Sequence, residues 1–303
     1  MTIAIRPPAP ADAQARFSYS SPDQPRLQQA LIRAVERLGG QRRLKRLYDH
    51  YRARCGGEDF VQAAVRLLAL DIAYDHEAFA RIPKTGPLVF VANHPYGVLD
   101  GITLAWLARR VRPETRILAH GVLLRVPEMR DVLLPVDFSM TREAQAVNLA
   151  TRATAIAQLK AGGAVGIFPA GGVSTAPRPL ARRALDLAWA PFAAKLVRQP
   201  GVHVVPVHFS GQNSRLFQVA SHFSETLRLS LLFRETSRRI GTRLDVAIGG
   251  AITQEEIAAT GSRDGLLAEL RRRTYALSRD GGVDWSRCAA LPPTRAERRA
   301  AAA

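Results

Sequence analysis

Apolar and polar positions along this chain follow a helical period first and a mixed strand-and-helix pattern later. Between Arg26 and Cys55, "RLQQALIRAVERLGGQRRLKRLYDHYRARC", apolar residues recur at helical spacing with arginines between them. Gly39-Gly40 splits that run into two helices. The spacing predicts another helix over 58–73, "EDFVQAAVRLLALDIA". Then the texture changes. "PLVFVANH" reads as a short apolar strand, "GITLAWLARRV" as a helix, "TRILAH" as a strand and "DVLLPVDF" as a further short apolar segment. "TREAQAVNLATRATAIAQLKAGG" predicts a long helix stopped by paired glycines. "AVGIFPAG" predicts a strand, "LDLAWAPFAAKLVRQPG" a helix, "VHVVPVHFSG" and "LDVAIGGAI" strands, and "RDGLLAELRRRTYALSR" a closing helix.

Strands that alternate with helices predict an α/β fold: a mostly parallel central sheet flanked by helices, behind a helical N-terminal segment. The expected organisation is a mobile N-terminus over 1–24, a helical cap over 25–73, an α/β domain over 74–280 and a poorly ordered tail over 281–303. Composition supports a sizeable core, with 47% hydrophobic residues. Lys and Arg number 43 against 26 Asp and Glu, a formal charge of +17. That excess favours an anionic partner: nucleic acid, an anionic membrane surface or an acidic carrier protein. No helix-turn-helix, zinc-finger or aromatic stacking pattern is present, so nucleic acid is not expected. Cys55 and Cys288 lack CxxC or CxxH spacing, which predicts no disulfide framework, and no ligand cluster predicts a metal or other cofactor. The first residues lack the apolar segment of a secretory signal, and no apolar run is long enough to span a bilayer. A cytoplasmic protein, peripheral on the inner membrane, is the expectation.

Candidate chemistry collects in three loops that follow strands: "NHPYGVLDG", "FPAGGVSTAPRP" and "HFSGQNSRLF". In open parallel sheets such loops gather at the carboxyl ends of the strands. In the first loop His94 and Asp100 are six residues apart, about 240° on a continuous helix. Pro95 and Gly97 interrupt any helix between them, so a bend can bring imidazole and carboxylate together. A carboxylate on one ring nitrogen fixes the tautomer and makes the other nitrogen more basic. Spacing alone leaves a second reading open, with Asp100 as the N-cap of "GITLAWLARR" and His94 structural. In the third loop Asn213, Ser214 and Arg215 either support a site or satisfy a turn. His208 reads as a packed histidine. "GVLLRVPEMRDVLLP", with Arg125 and Arg130 after His120, is either core or the lining of an apolar entry. No G-x-S-x-G elbow marks a serine hydrolase.

The His94–Asp100 loop resembles the His–Asp signature of the PlsC-like glycerolipid (lysophospholipid) acyltransferases. "GIFPAGGVS" resembles their second signature, and "VVPVHFSGQNSRLFQ" their final strand and loop. Five residues between His and Asp, rather than four, resemble the bacterial hemolysin-like branch, which is similar to acyltransferases of lysophospholipids or lyso-ornithine lipid. The likeness covers roughly residues 70–250. It implies transfer of an acyl group from acyl-carrier protein or acyl-CoA to a lysolipid hydroxyl. It also implies that His94 is the general base and Asp100 its orienter. Asn93, Tyr96, Gly97, Gly171, Gly172, Ser174 and Arg178 are the implied substrate-binding residues, with backbone N–H groups near Gly171-Gly172 as oxyanion donors. The sequence departs from the family at Gly172, where a Glu is expected, which puts phosphate-type acceptors in question. The alternatives are a catalytically inactive lipid-binding relative, which this departure leaves open, and a nucleic-acid-binding protein that uses its basic surface.

Overall fold

The computed structural model describes residue 18 and residues 25–139, 141–179 and 181–278. Apart from Ser18, the segments expected to be mobile or poorly ordered, 1–24 and 281–303, lie outside the described residues. The chain runs through α1 (Arg26–Leu38), α2 (Gln41–Arg54), α3 (Phe60–Leu67), β1 (Asp71–Ala73) and α4 (His76–Ala80). Next come β2 (Leu88–Ala92), α5 (Val98–Val111), β3 (Arg116–His120), 3-10 turns at Gly121–Arg125 and Pro127–Met129, β4 (Leu133–Val136), α6 (Arg142–Lys160) and β5 (Ala164–Ile167). The last part holds α7 (Pro191–Val197), β6 (His203–Phe209), α8 (Arg215–Phe223), α9 (Glu225–Arg238), β7 (Arg243–Ile248), α10 (Gln254–Ala259) and α11 (Arg263–Ala276).

The seven strands form one sheet in the order β1-β7-β6-β2-β5-β3-β4. β6, β2, β5, β3 and β4 are mutually parallel; β7 runs antiparallel to β6, and β1 parallel to β7. β2 is buried at every position, as its unbroken apolar run "LVFVA" requires of a central strand covered on both faces. Successive side chains take opposite faces. Leu88 and Phe90 join α5 and Ile117 in one core layer, while Val89 and Val91 pack with α6, α7 and α11 in the other. The expected α/β architecture with a mostly parallel central sheet is therefore the one observed. α1 and α2 pack on α9, so the N-terminal helices are joined to the main body through a late element.

Three segments differ from the sequence expectation. The helix expected over 58–73 stops at Leu67, and Asp71–Ala73 is a strand paired with Arg243–Asp245. Ala69 turns the chain with a φ of 48°, and the sheet edge offered by β7 captures the next residues as β1. The helix expected over 185–201 is only Pro191–Val197. Before it, Leu185 is bridged to Thr175 and Ala190 N–H reaches Pro169 O, so that stretch serves the second loop. The loop expected through Arg215 instead gives way to α8 at that residue, capped by Ser214.

Candidate active site

β6, β2 and β5 are neighbours in the sheet, so the three candidate loops emerge side by side. Asn93 binds the first to the third: its Nδ2 donates to Phe209 O at 2.9 Å, and its Oδ1 accepts Phe209 N–H at 2.7 Å. The chain then bends at Gly97, whose φ of 83° a side chain adopts only with strain. A Cβ there would also press on Val173 at 3.0 Å and Leu232 at 3.1 Å.

The bend brings His94 and Asp100 together, with Nδ1 3.1 Å from Oδ2. Asp100 is fully buried and sits at the third position of α5 rather than at its N-cap, which is Gly97. Its Oδ2 also accepts Tyr96 N–H at 2.7 Å and Gly97 N–H at 2.9 Å. The expectation of Asp100 as N-cap is thus corrected: from the third helical position it accepts the N–H groups that open α5, and it also faces the histidine. The Nδ1–Oδ2 contact is short but not aligned as a hydrogen bond, and the imidazole is braced instead against Phe168, centroid to centroid 4.0 Å.

The main chain of His94 is held from both sides. Its N–H donates to Asp186 Oδ1 at 3.1 Å, and its C=O accepts Ser174 N–H at 2.8 Å. Asp186 is fully buried and also receives Ser174 Oγ–H at 2.6 Å and the Trp189 indole N–H at 3.1 Å. Burial pushes its carboxyl up, and these three donors oppose the push. Sequence reasoning missed Asp186, although it is the sole carboxylate between Glu143 and Glu225.

His94 opens onto an apolar cavity of about 570 Å³. One wall is the N-terminal cap, through Leu44, Tyr48, Tyr51 and Phe60; another is the stretch Val122–Leu133, which is both core, through Met129, Val132 and Leu133, and cavity lining. Gly97, Gly171, Gly172 and Arg228 also face it. Among the expected substrate-binding residues, Gly97, Gly171 and Gly172 meet His94 and Asp100 here. Asn93, Tyr96 and Ser174 lie behind the cavity wall, and Arg178 stands on the exposed outer loop. The Tyr96 hydroxyl donates to Ser210 O at 2.6 Å, and burial pushes its pKa up to about 12. Gly171 N–H is committed to Phe168 O at 3.0 Å, which leaves Gly172 as the backbone donor of that pair. A Cβ on Gly172 would lie 3.7 Å from Arg228 Nη2, and that guanidinium also donates to Val173 O. Asn213 and Ser214 serve the fold: Asn213 Nδ2 reaches Tyr96 O at 3.5 Å, and Ser214 caps α8 and binds Glu235. His208 is buried against Tyr275.

The profile of the family described as "Acyltransferase" matches residues 47–282, well over half of the chain. A lyso-glycine lipid O-acyltransferase of Bacteroides thetaiotaomicron is 28% identical over 163 residues, 53% of this chain and 56% of that one. A protein of the same name from Phocaeicola vulgatus is 25% identical over 173 residues, 56% of this chain and 58% of that one. The chain thus spans little more than half the length of these relatives. The crystal structure of the 1-acyl-sn-glycerophosphate acyltransferase PlsC from Thermotoga maritima superimposes with a TM-score of 0.46 at 16% identity, over 82% of this chain and 79% of that one. The family profile runs from within α2 through the His94 loop, the Gly171-Gly172 loop and α11, and the chain belongs to the acyltransferase family.

Proposed function

We propose that this protein moves a fatty acyl group from an acyl thioester, on acyl-carrier protein or coenzyme A, to the hydroxyl of a lysolipid. The observation that carries the proposal is the His94–Asp100 pair at 3.1 Å, standing at an apolar cavity of about 570 Å³. Asp100 holds Nδ1 and leaves Nε2 as the base. Nε2 takes the proton of the acceptor hydroxyl, and the oxygen attacks the thioester carbonyl. The oxyanion that forms needs a donor, and Gly172 N–H is the candidate. Collapse breaks the C–S bond, and the imidazolium returns the proton to the leaving thiolate. The route needs no acyl-enzyme intermediate. The cavity is within the usual size of a ligand pocket and apolar enough for an acyl chain.

For the acceptor we propose a lysolipid with an amino-acid head group. The two relatives are named for a glycine lipid, whose head carries a carboxylate. Gly172 leaves open the space beside Arg228, whose planar guanidinium matches a carboxylate. The protein is expected to work at the anionic face of a membrane; among the described residues no helix is long and apolar enough to cross one.

The test is thioester consumption by wild-type and His94→Ala protein. Donors are acyl-carrier protein and acyl-CoA; acceptors are lyso-glycine, lyso-ornithine and lysophospholipids, with products identified by mass spectrometry. A diacyl product from wild type, lost by at least a hundredfold in the folded variant, is the expected result. Lipid binding without turnover for every pair would sink the proposal and favour a binding-only relative.

A further inference from the structure

Away from the His94 site the structure builds a second surface. α8 lies against the outer part of the loop that follows β5. Gln218 Oε1 accepts Ala176 N–H at 2.8 Å, and His222 Nε2 is 3.0 Å from Ala176 O. Gln212 grips the same loop further on, accepting Ala184 N–H at 2.7 Å and donating to Arg182 O at 2.9 Å. These bonds fix Arg178, Arg182 and Arg183 beside α8, whose own first residue is Arg215. All four are exposed, and among the described residues none of them makes an ion pair. Residues 171–185 and 207–224 contain no Asp or Glu at all, and Asp186 between them is fully buried. α8 buries Phe217, Gln218 and Ala220. Its other side carries Leu216, Val219 and Phe223 at helical spacing, with Leu216 50% and Phe223 73% exposed.

Arginines without carboxylates attract any polyanion. A Phe and a Leu that protrude among them narrow the choice. They find no counterpart on a phosphate backbone, whereas the boundary of head groups and acyl chains receives both kinds of side chain. We propose that α8 and the arginine loop dock on an anionic lipid bilayer, with Arg178, Arg182, Arg183 and Arg215 on lipid phosphates and Phe223 and Leu216 in the acyl boundary. The arginine loop continues directly from Gly171–Val173 at the cavity, where Gly171 and Phe138 are exposed. Docking therefore sets the cavity mouth against the leaflet. That last step rests on the acyl-transfer reading, because a lysolipid must reach His94 from somewhere.

The full chain is tested by flotation with vesicles of phosphatidylcholine alone and of phosphatidylcholine with phosphatidylglycerol in a two-to-one ratio. Wild type is expected to float with the mixed vesicles and to be released by salt. Arg182→Gln, Arg183→Gln and Arg215→Gln together should cut partitioning roughly a hundredfold, about fivefold for each arginine. Leu216→Ser with Phe223→Ser should weaken it by at least tenfold through lost burial. These exposed substitutions leave the core intact, which a thermal melt verifies. Wild-type protein that ignores anionic vesicles, variants that float like wild type, or preferential capture by acyl-carrier protein or nucleic acid at this surface would each overturn the docking proposal. Turnover separates it from the catalytic one. Variants that lose vesicles should still acylate a short-chain lysolipid below its micelle concentration. Vesicle binding by a wild type with no transferase activity would leave docking standing and remove the function.

Discussion

At the scale of single residues, the arrangement places two buried carboxylates on one histidine. Asp100 faces the ring, and Asp186 holds the main chain. Their consequences differ. Asp100→Asn keeps an acceptor for the start of α5 but replaces the carboxylate that faces His94 Nδ1, so under the proposed mechanism it is expected to lower turnover rather than stability. Asp186 is a positioning residue whose carboxylate accepts three donors. In Asp186→Asn one atom becomes a donor. If its oxygen stays with His94 N–H and Ser174 Oγ–H, its NH₂ meets the Trp189 N–H. The variant should lose about 2 kcal/mol. Adding Trp189→Phe removes the conflict, and the double variant should be more stable, by about 1 kcal/mol, than the sum of the singles. Strict additivity in thermal unfolding would refute this account. Asp186 could have been suspected, since a lone acid in a long basic stretch has a reason to be there. Its partners could not, because they lie on separate turns of the chain.

At the scale of elements, the sequence was most legible where the pattern ran long. β2, α5 and α6 have uninterrupted signals and lie where expected. Asp71–Ala73 did not announce itself, because a three-residue edge strand has too few positions to show a period and follows a helix without a proline or glycine break. α8 begins after Ser214, an ordinary capping residue that was the available signal, but Gly211 and the polar run before it made 208–217 read as loop. The site divided the same way: the His94–Asp100 pairing was visible as spacing, whereas the commitment of Asn93 and Tyr96 to strand ends depended on β6 lying beside β2. One element also carries a pH prediction. On α11 the hydrogen bond from Arg272, helped by Arg273 and opposed by burial, draws Glu269 down to about 2. A carboxyl depressed in the folded state stabilises fully above its unfolded value of about 4.3 and ceases to do so as pH falls toward about 2. The groups are partly exposed, so screening limits the effect to a few tenths of a kcal/mol. Melting temperatures of wild type and Glu269→Gln should differ slightly at neutral pH and converge only as pH falls to about 2; a gap that widens with acid would contradict the assignment.

At the scale of the whole molecule, the cap and the α/β body are joined around the cavity. Glu128 accepts the Tyr48 hydroxyl at 2.8 Å and is paired with Arg52 at 2.9 Å, which ties α2 to the turn before β4. Glu128→Ala removes that shared acceptor and should cost about 1 kcal/mol. The effect should be local: hydrogen exchange of α2 amides quickens while that of β2 and β5 does not. Uniform acceleration would show that cap and sheet open as one unit.

The clamp on His94 has a further consequence in time rather than in space. β2 is completed on one side by β5 and on the other by β6, Asn93 waits for Phe209, and the support behind Asp186 comes from Tyr275, whose hydroxyl accepts its N–H at 2.8 Å. The histidine loop is made early in synthesis, yet nearly everything that shapes it is made late. Contacts this distant in sequence form slowly. The arrangement around His94 and Asp100 is therefore complete only when α11 has been made.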